Sequence, residues 1–220
     1  MLDGWRAVLC AAALFASAPQ AASAQTGCEH DREALLALPE QAFDQDLTNG
    51  GGGWRSLAAK PECGLVAAEL LRDYRKKHDV QGGIMAWHEG QLRAGAGQYE
   101  HAEALFESAR KPQGEPDPIG WNHYIDASVA FLRGDRSALL AARERLAQVP
   151  HDPGSGMPPV KDGYIEFPSQ DGRPAMRMRW PPNIEVVDGL IQCFGRPYNV
   201  AYGAPECRTG SAPRTPEAKD

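Results

Sequence analysis

His88-Glu89, within WHEGQLRAGAGQYEHAEALFESARK over 87–111, opens like the zinc-protease pattern H-E-x-x-H, in which two histidines one helical turn apart hold a metal. Leu92 stands where the second histidine must be, so the pattern fails at its ligand. Gly95-Ala96-Gly97 begins like the dinucleotide loop G-x-G-x-x-G, but Glu100 replaces the third glycine and the stretch joins two helical patterns with no strand leading in. TNGGGG at 48–53 is followed by Trp54-Arg55-Ser56 and lacks the Gly-Lys-Ser/Thr of a phosphate loop; it reads as a flexible connector. G-x-S-x-G does not occur. Glu103 and Glu107 lie one turn apart on a solvated helix face, with nothing nearby to bury either and raise its pKa for acid–base work. His88 and His123 each follow a tryptophan and could share one surface as a metal or pH-sensing pair; the plainer reading has both packing on aromatics. The expectation is therefore no catalytic residue, no metal and no cofactor.

The cysteines carry a different chemistry. MLDGWRAVLCAAALFASAPQAASAQ has one arginine, an apolar run from Ala7 to Ala18, and Ala22-Ser23-Ala24, the order of a secretory signal peptide cleaved after about Ala24, although Asp3 weakens its basic part. The run is shorter than the roughly 20 residues that cross a bilayer as a helix, so no integral span is expected. Export removes Cys10 and leaves Cys28, Cys63, Cys193 and Cys207, an even number suited to an oxidising compartment, periplasmic or secreted. Three pairings are open to four cysteines; proximity favours Cys28–Cys63 and Cys193–Cys207, with two buried free thiols as the alternative. Zinc is disfavoured, because no C-x-x-C or paired histidines occur at ligand spacing.

Net charge is −6 over 220 residues, and the densest basic cluster, Arg72 to His78, suits the last turn of a helix better than a phosphate surface, so nucleic acid is not an expected partner. Pro39 divides 28–46 into two short helices. Hydrophobic spacing then predicts helices over 61–77, 84–95, 99–111, 119–133 and 136–149. GYIEFP and AMRMRW, flanking SQDGRP, predict a β-hairpin over 163–180 with Met176, Met178 and Trp180 inward. Ile184, Val187, Ile191 and Phe194 form the stripe of a closing helix that stops at Gly195. The fold class is mainly α: antiparallel helical hairpins with a small C-terminal β-hairpin and a closing helix. One domain over 25–210 is expected, with a core at 84–150, the hairpin and capping helix at 160–195 and a disordered tail at 211–220.

Trp87, Gly90, Gly97-Gln98-Tyr99, Ala102, Phe106 and Ala109 follow an order that resembles a tetratricopeptide repeat: an aromatic early in the first helix, a small residue one turn on, a Gly-x-Tyr turn, then Ala, Phe and Ala. One repeat later Tyr124, Ala127, Gly134 and the closing Pro150 stand in register. Arg136 and Arg143 replace the turn tyrosine and second-helix phenylalanine, and Glu89 and Arg93 fall where apolar residues are usual. Helix 61–77 with the Trp54 segment reads as a degenerate leading repeat. The resemblance implies that Trp87, Gln91, Tyr124 and Ser128 project from first helices toward a concave, partner-binding groove; Trp87 and Tyr124 serve equally well as core. The functional expectation is a non-enzymatic exported protein that binds a protein or peptide in the cell envelope. Alternatives from other classes are an envelope-acting enzyme or enzyme subunit, and a secreted effector or its inhibitor.

Overall fold

A computed structural model describes residues 27–47, 51–168 and 176–208. The expected signal peptide, the centre of the β-hairpin turn and the expected disordered tail lie outside these residues. Nine α-helices occur among the described residues: α1 Arg32–Leu36, α2 Arg55–Ala58, α3 Gly64–Lys77, α4 Gly83–Gly95, α5 Tyr99–Ser108, α6 Trp121–Leu132, α7 Arg136–Ala147, α8 Ile184–Gln192 and α9 Tyr198–Gly203. A π-helical turn, Gln41–Gln45, follows Pro39, and 3-10 turns cover Pro61–Cys63 and Pro205–Arg208. The chain is thus mainly helical, with one two-stranded antiparallel hairpin, β1 Tyr164–Phe167 and β2 Met176–Arg179, before the last helices. No helix among the described residues is long and apolar enough to cross a membrane.

The two central hairpins turn by the same device. Gln98 N–H donates to Arg93 C=O and Gly97 N–H to Ala94 C=O; Asp135 and Gly134 make the same pair of bonds to Ala130 and Phe131. Gly97 (φ 79°) and Gly134 (φ 69°) take the left-handed conformation that such a helix end requires, so glycine is the residue without a steric penalty there. Asp135 then caps α7 by accepting from Ala138 N–H at 2.9 Å.

Helix α4 is common to two apolar clusters. Met85 faces Leu57, Leu70, Leu71 and Tyr74 of α2 and α3, whereas Trp87 and Ala94 belong with α5, α6, α8 and α9. At the α4–α5 crossing the Trp87 ring stacks on Phe106 at 4.2 Å, and a Cβ on Gly90 would stand 2.7 Å from that ring. A small residue is therefore a packing requirement at 90. Ala102, Ala109 and Ala127 are buried in the same seam. Glu89 and Arg93, one turn apart on α4, are 1 % and 2 % exposed and sit between α4 and α3. Glu89 accepts from Arg93 Nε at 2.7 Å and Arg75 Nη1 at 2.6 Å, and Arg93 reaches Glu69 at 2.9 Å and Gln98 at 2.9 Å. Mutual neutralisation is what makes their burial tolerable. Arg143 likewise has a partner: it holds Asp188 of α8 at 2.9 Å where α7 and α8 pack.

Cys28–Cys63 and Cys193–Cys207 are both disulfide-bonded, closing 35 and 14 residues of sequence. The first ties the N-terminal segment to the start of α3; the second ties α8 to the final 3-10 turn. The β-hairpin forms in the register Tyr164↔Arg179 to Phe167↔Met176. Its inward face is the expected one, because the buried Ile165 pairs with Met178 across the strands, although Met176 at the open end is 48 % exposed. On the other face Arg177 lies over the Tyr164 ring and Arg179 pairs with Asp188.

Two stretches depart from expectation more consequentially. Within the glycine run, 51–53 is packed: Gly53 is buried, and a Cβ there would fall 1.9 Å from the Phe43 carbonyl oxygen, so this end serves close backbone approach and not flexibility. Beyond Gly195 the chain does not simply end its fold. Pro197 opens α9, whose Tyr198 lies 6.2 Å from the Phe106 ring and 6.0 Å from Phe131.

Candidate functional site

Asp44 is fully buried and bonded to Trp54, Arg55 and His88, three residues that line a groove. The π-helical turn that carries it is pinned by its neighbour Phe43, stacked on Tyr74 of α3 at 3.7 Å and 10°, and by the Tyr74 hydroxyl donating to Leu38 C=O at 2.9 Å. Asp44 Oδ1 accepts from Trp54 Nε1–H at 2.7 Å and from His88 Nδ1 at 2.7 Å; Oδ2 accepts from the Gln45 side chain. Arg55 Nε donates to the Asp44 carbonyl at 2.9 Å, and its guanidinium lies over the Trp54 ring at 4.3 Å.

Burial alone would raise the Asp44 pKa. The hydrogen bond and charge of His88, the Trp54 N–H and the Arg55 charge outweigh it and hold the carboxyl below the usual range. The carboxylate is therefore ionised and accepts only, which puts a proton on His88 Nδ1 and leaves Nε2 as the free ring nitrogen. For Arg55, burial lowers the pKa, opposed by Asp44 and Tyr202.

Above this cluster lies a groove of about 650 Å³. On α4, His88, Gln91, Leu92 and Gly95 recur at helical spacing and form one wall. Trp54, Arg55 and Ala58 of α2, with Pro61, Glu62, Gly64 and Leu65 at the start of α3, form the second. Tyr198, Asn199 and Tyr202 of α9 form the third. Apolar and aromatic surface dominates, with a few polar groups between, the usual make-up of a ligand site. Burial pushes the hydroxyls of Tyr124 and Tyr198 well above their ordinary pKa, and the Tyr198 hydroxyl, beside Gln91, is buried without a well-formed hydrogen bond.

Of the four groove residues implied by the repeat-like register, Gln91 alone lines this groove. Trp87 and Tyr124 are each 2 % exposed with ring centroids 4.8 Å apart, and Ser128 is fully buried, its hydroxyl donating to Tyr124 C=O at 3.0 Å. These three are core. The reason is the last two helices: α9 packs on α4 and α8 on α6. His88 and His123 do not converge: His88 faces the groove, and His123 lies by Asp117 and Arg145 at a separate depression. Glu103 and Glu107 are paired with Arg133 and Arg110. Among the described residues Glu62 is the one carboxylate lining the groove surface. Among the described residues no three His, Cys, Asp or Glu side chains gather as a metal site.

Asp44, Trp54, Arg55, Tyr198 and Tyr202 are site residues that sequence reasoning did not single out. Tyr198 and Tyr202 had a readable signal, a helical spacing of two aromatics directly after Pro197. Asp44 had none: its contact with His88 spans 44 residues of sequence. Chemically, a carboxylate-backed imidazole can take a proton at Nε2, as in acyl-transfer sites. Among the described residues no Ser, Thr or Cys lines the groove. No family model, curated protein or solved structure matches this chain.

Proposed function

We propose that the chain is an exported, tetratricopeptide-like binding protein of the cell envelope, periplasmic or secreted, and that the groove between α2, α3, α4 and α9 receives a protein or peptide segment. The observation that carries this reading is the groove itself. Three walls of aromatic and apolar side chains, interrupted by Arg55, Glu62, His88, Gln91 and Asn199, offer contact area and hydrogen-bonding groups to an extended chain. Two disulfides accord with an oxidising compartment. The two central hairpins, with their matching glycine turns, accord with a repeat origin. Relative to the surface over Trp87 and Tyr124, the binding face is displaced by one helix, to the side of α4 that carries Gln91.

A photo-crosslinking amino acid placed at Gln91 is expected to trap a partner in the native envelope. The same group at Glu144, exposed on α7 and away from the groove, is expected to trap none. Equal crosslinking from both positions, or crosslinking from Glu144 alone, would reject the groove as the binding face.

A further inference from the structure

We infer that the Cys193–Cys207 disulfide is a redox gate on the groove: closed, it holds α9 in place as the third wall, and open, it releases that wall. The gate rests on the groove reading above and sets the condition under which the groove is complete.

Cys193 caps the end of α8 and Cys207 lies in the 3-10 turn Pro205–Arg208, so the bond closes a loop that carries α9 at its centre. Tyr198, Asn199 and Tyr202, the residues that form the third wall, all lie inside that loop. The other two walls stand outside it: α4 packs against both α3 and α5, and α2 packs against α3.

By itself α9 has little to hold it. Its six residues are too few for a helix to persist without support. It lies mainly on α8 and the 3-10 turn, where Gly189 allows a close approach: a Cβ there would stand 3.1 Å from the Ala201 carbonyl oxygen and 3.2 Å from that of Cys207. Toward the central hairpins it sends Tyr198, set against the rings of Phe106 and Phe131, with its backbone N–H 3.4 Å from the Tyr99 hydroxyl. With the bond open, the described residues beyond Gly195 are tied covalently to α8 at one end only. Closing a loop of this size favours the docked arrangement over the undocked one by about a hundredfold, through the chain entropy that the crosslink removes.

The gate closes by thiol–disulfide exchange with an oxidant that carries a disulfide. One cysteine thiol loses its proton, attacks a sulfur of that disulfide and expels the other as a thiolate; the second cysteine thiolate then displaces the oxidant from the mixed disulfide. Two electrons pass to the oxidant, which leaves as a dithiol, and a dithiol reductant runs the same steps backwards. A chain kept reduced until export therefore reaches an oxidising compartment with its third wall unfixed, and oxidation there completes the groove.

Amide hydrogen exchange of the full chain, read by mass spectrometry, tests the gate. Cys193→Ala with Cys207→Ala should exchange about a hundredfold faster than the unmodified protein at 198–204, with α5, α6 and α7 unchanged. Cys28→Ala with Cys63→Ala should keep the native rate at 198–204. If the first variant does not fold, the second one, in which Cys193–Cys207 is the remaining bond, is reduced with dithiothreitol: exchange at 198–204 should accelerate to the same extent, and re-oxidation should restore it. An unchanged rate at 198–204 with this bond absent or reduced overturns the gate and leaves the groove reading in place. Equal acceleration across α5, α6 and α7 also overturns it, since the bond would then hold the whole core and not one wall. Crosslinking from Gln91 in the oxidised protein tests the groove itself, independently of this comparison.

Discussion

Glu89→Ala is expected to destabilise the protein by about 3–5 kcal/mol, the cost of removing one partner from a buried ion cluster. The carboxylate is 1 % exposed and neutralises two arginines, Arg93 at 3 % side-chain exposure and Arg75 at 13 %. Without it Arg93 keeps only Glu69 and Gln98, and Arg75 keeps only backbone carbonyls of Val80 and Gln81. Chemical denaturation monitored by tryptophan fluorescence gives the number. Replacing Glu89 and Arg93 together by leucine should cost less than Glu89→Ala alone, since an apolar pair strands one charge where the single change strands two. A loss below about 1 kcal/mol for Glu89→Ala, the size seen for exposed pairs, would mean that the cluster is solvated.

Phe106→Ala should be comparably damaging, about 3–5 kcal/mol, because it opens a cavity where three helices meet. Phe106 is fully buried, stacked on Trp87 and set against Gly90 of α4, with Tyr198 of α9 on its far side. The near-ultraviolet circular dichroism of Trp87 should weaken in parallel. A change of under 1 kcal/mol with that signal intact would contradict the seam. Because typical domains are stable by only 5–15 kcal/mol, either substitution should shift the denaturation midpoint visibly.

The elements set by local spacing were legible in the sequence. Ala102, Phe106 and Ala109 along one segment with Gly97 at the turn before it, and Gly134 at the turn of the next hairpin, impose two hairpins through contacts close in sequence, and the two cysteine pairs follow the same proximity. Periodicity, however, reports which residues share a face and not what lies over it. Trp87 and Tyr124 lie side by side, but whether their side of the helices meets water depends on α9, a short helix after a glycine and a proline with little length to reveal it. Glu89 and Arg93 broke the apolar pattern for a similar reason: the rule that charges face water fails when two opposite charges sit one turn apart and a third arrives from α3. Asp44 was out of reach altogether, because its position depends on a π-helical turn and on contacts to Trp54 and His88 that no local spacing encodes.

Docking of α9 against α4 both buries the former face and creates the groove, so the spacing between these two helices is the quantity on which the account turns. A Cβ on Gly95 would lie 3.7 Å from the Asn199 Cβ, within the range that a disulfide spans. With the native disulfides intact, a chain carrying Gly95→Cys and Asn199→Cys should close a third bond under mild oxidation, detectable as a crosslinked peptide joining positions 95 and 199, with the helical circular dichroism unchanged. Two thiols that stay free and reactive in the folded protein would show that α9 does not lie against α4, and the groove and the burial of Trp87 and Tyr124 would fall together.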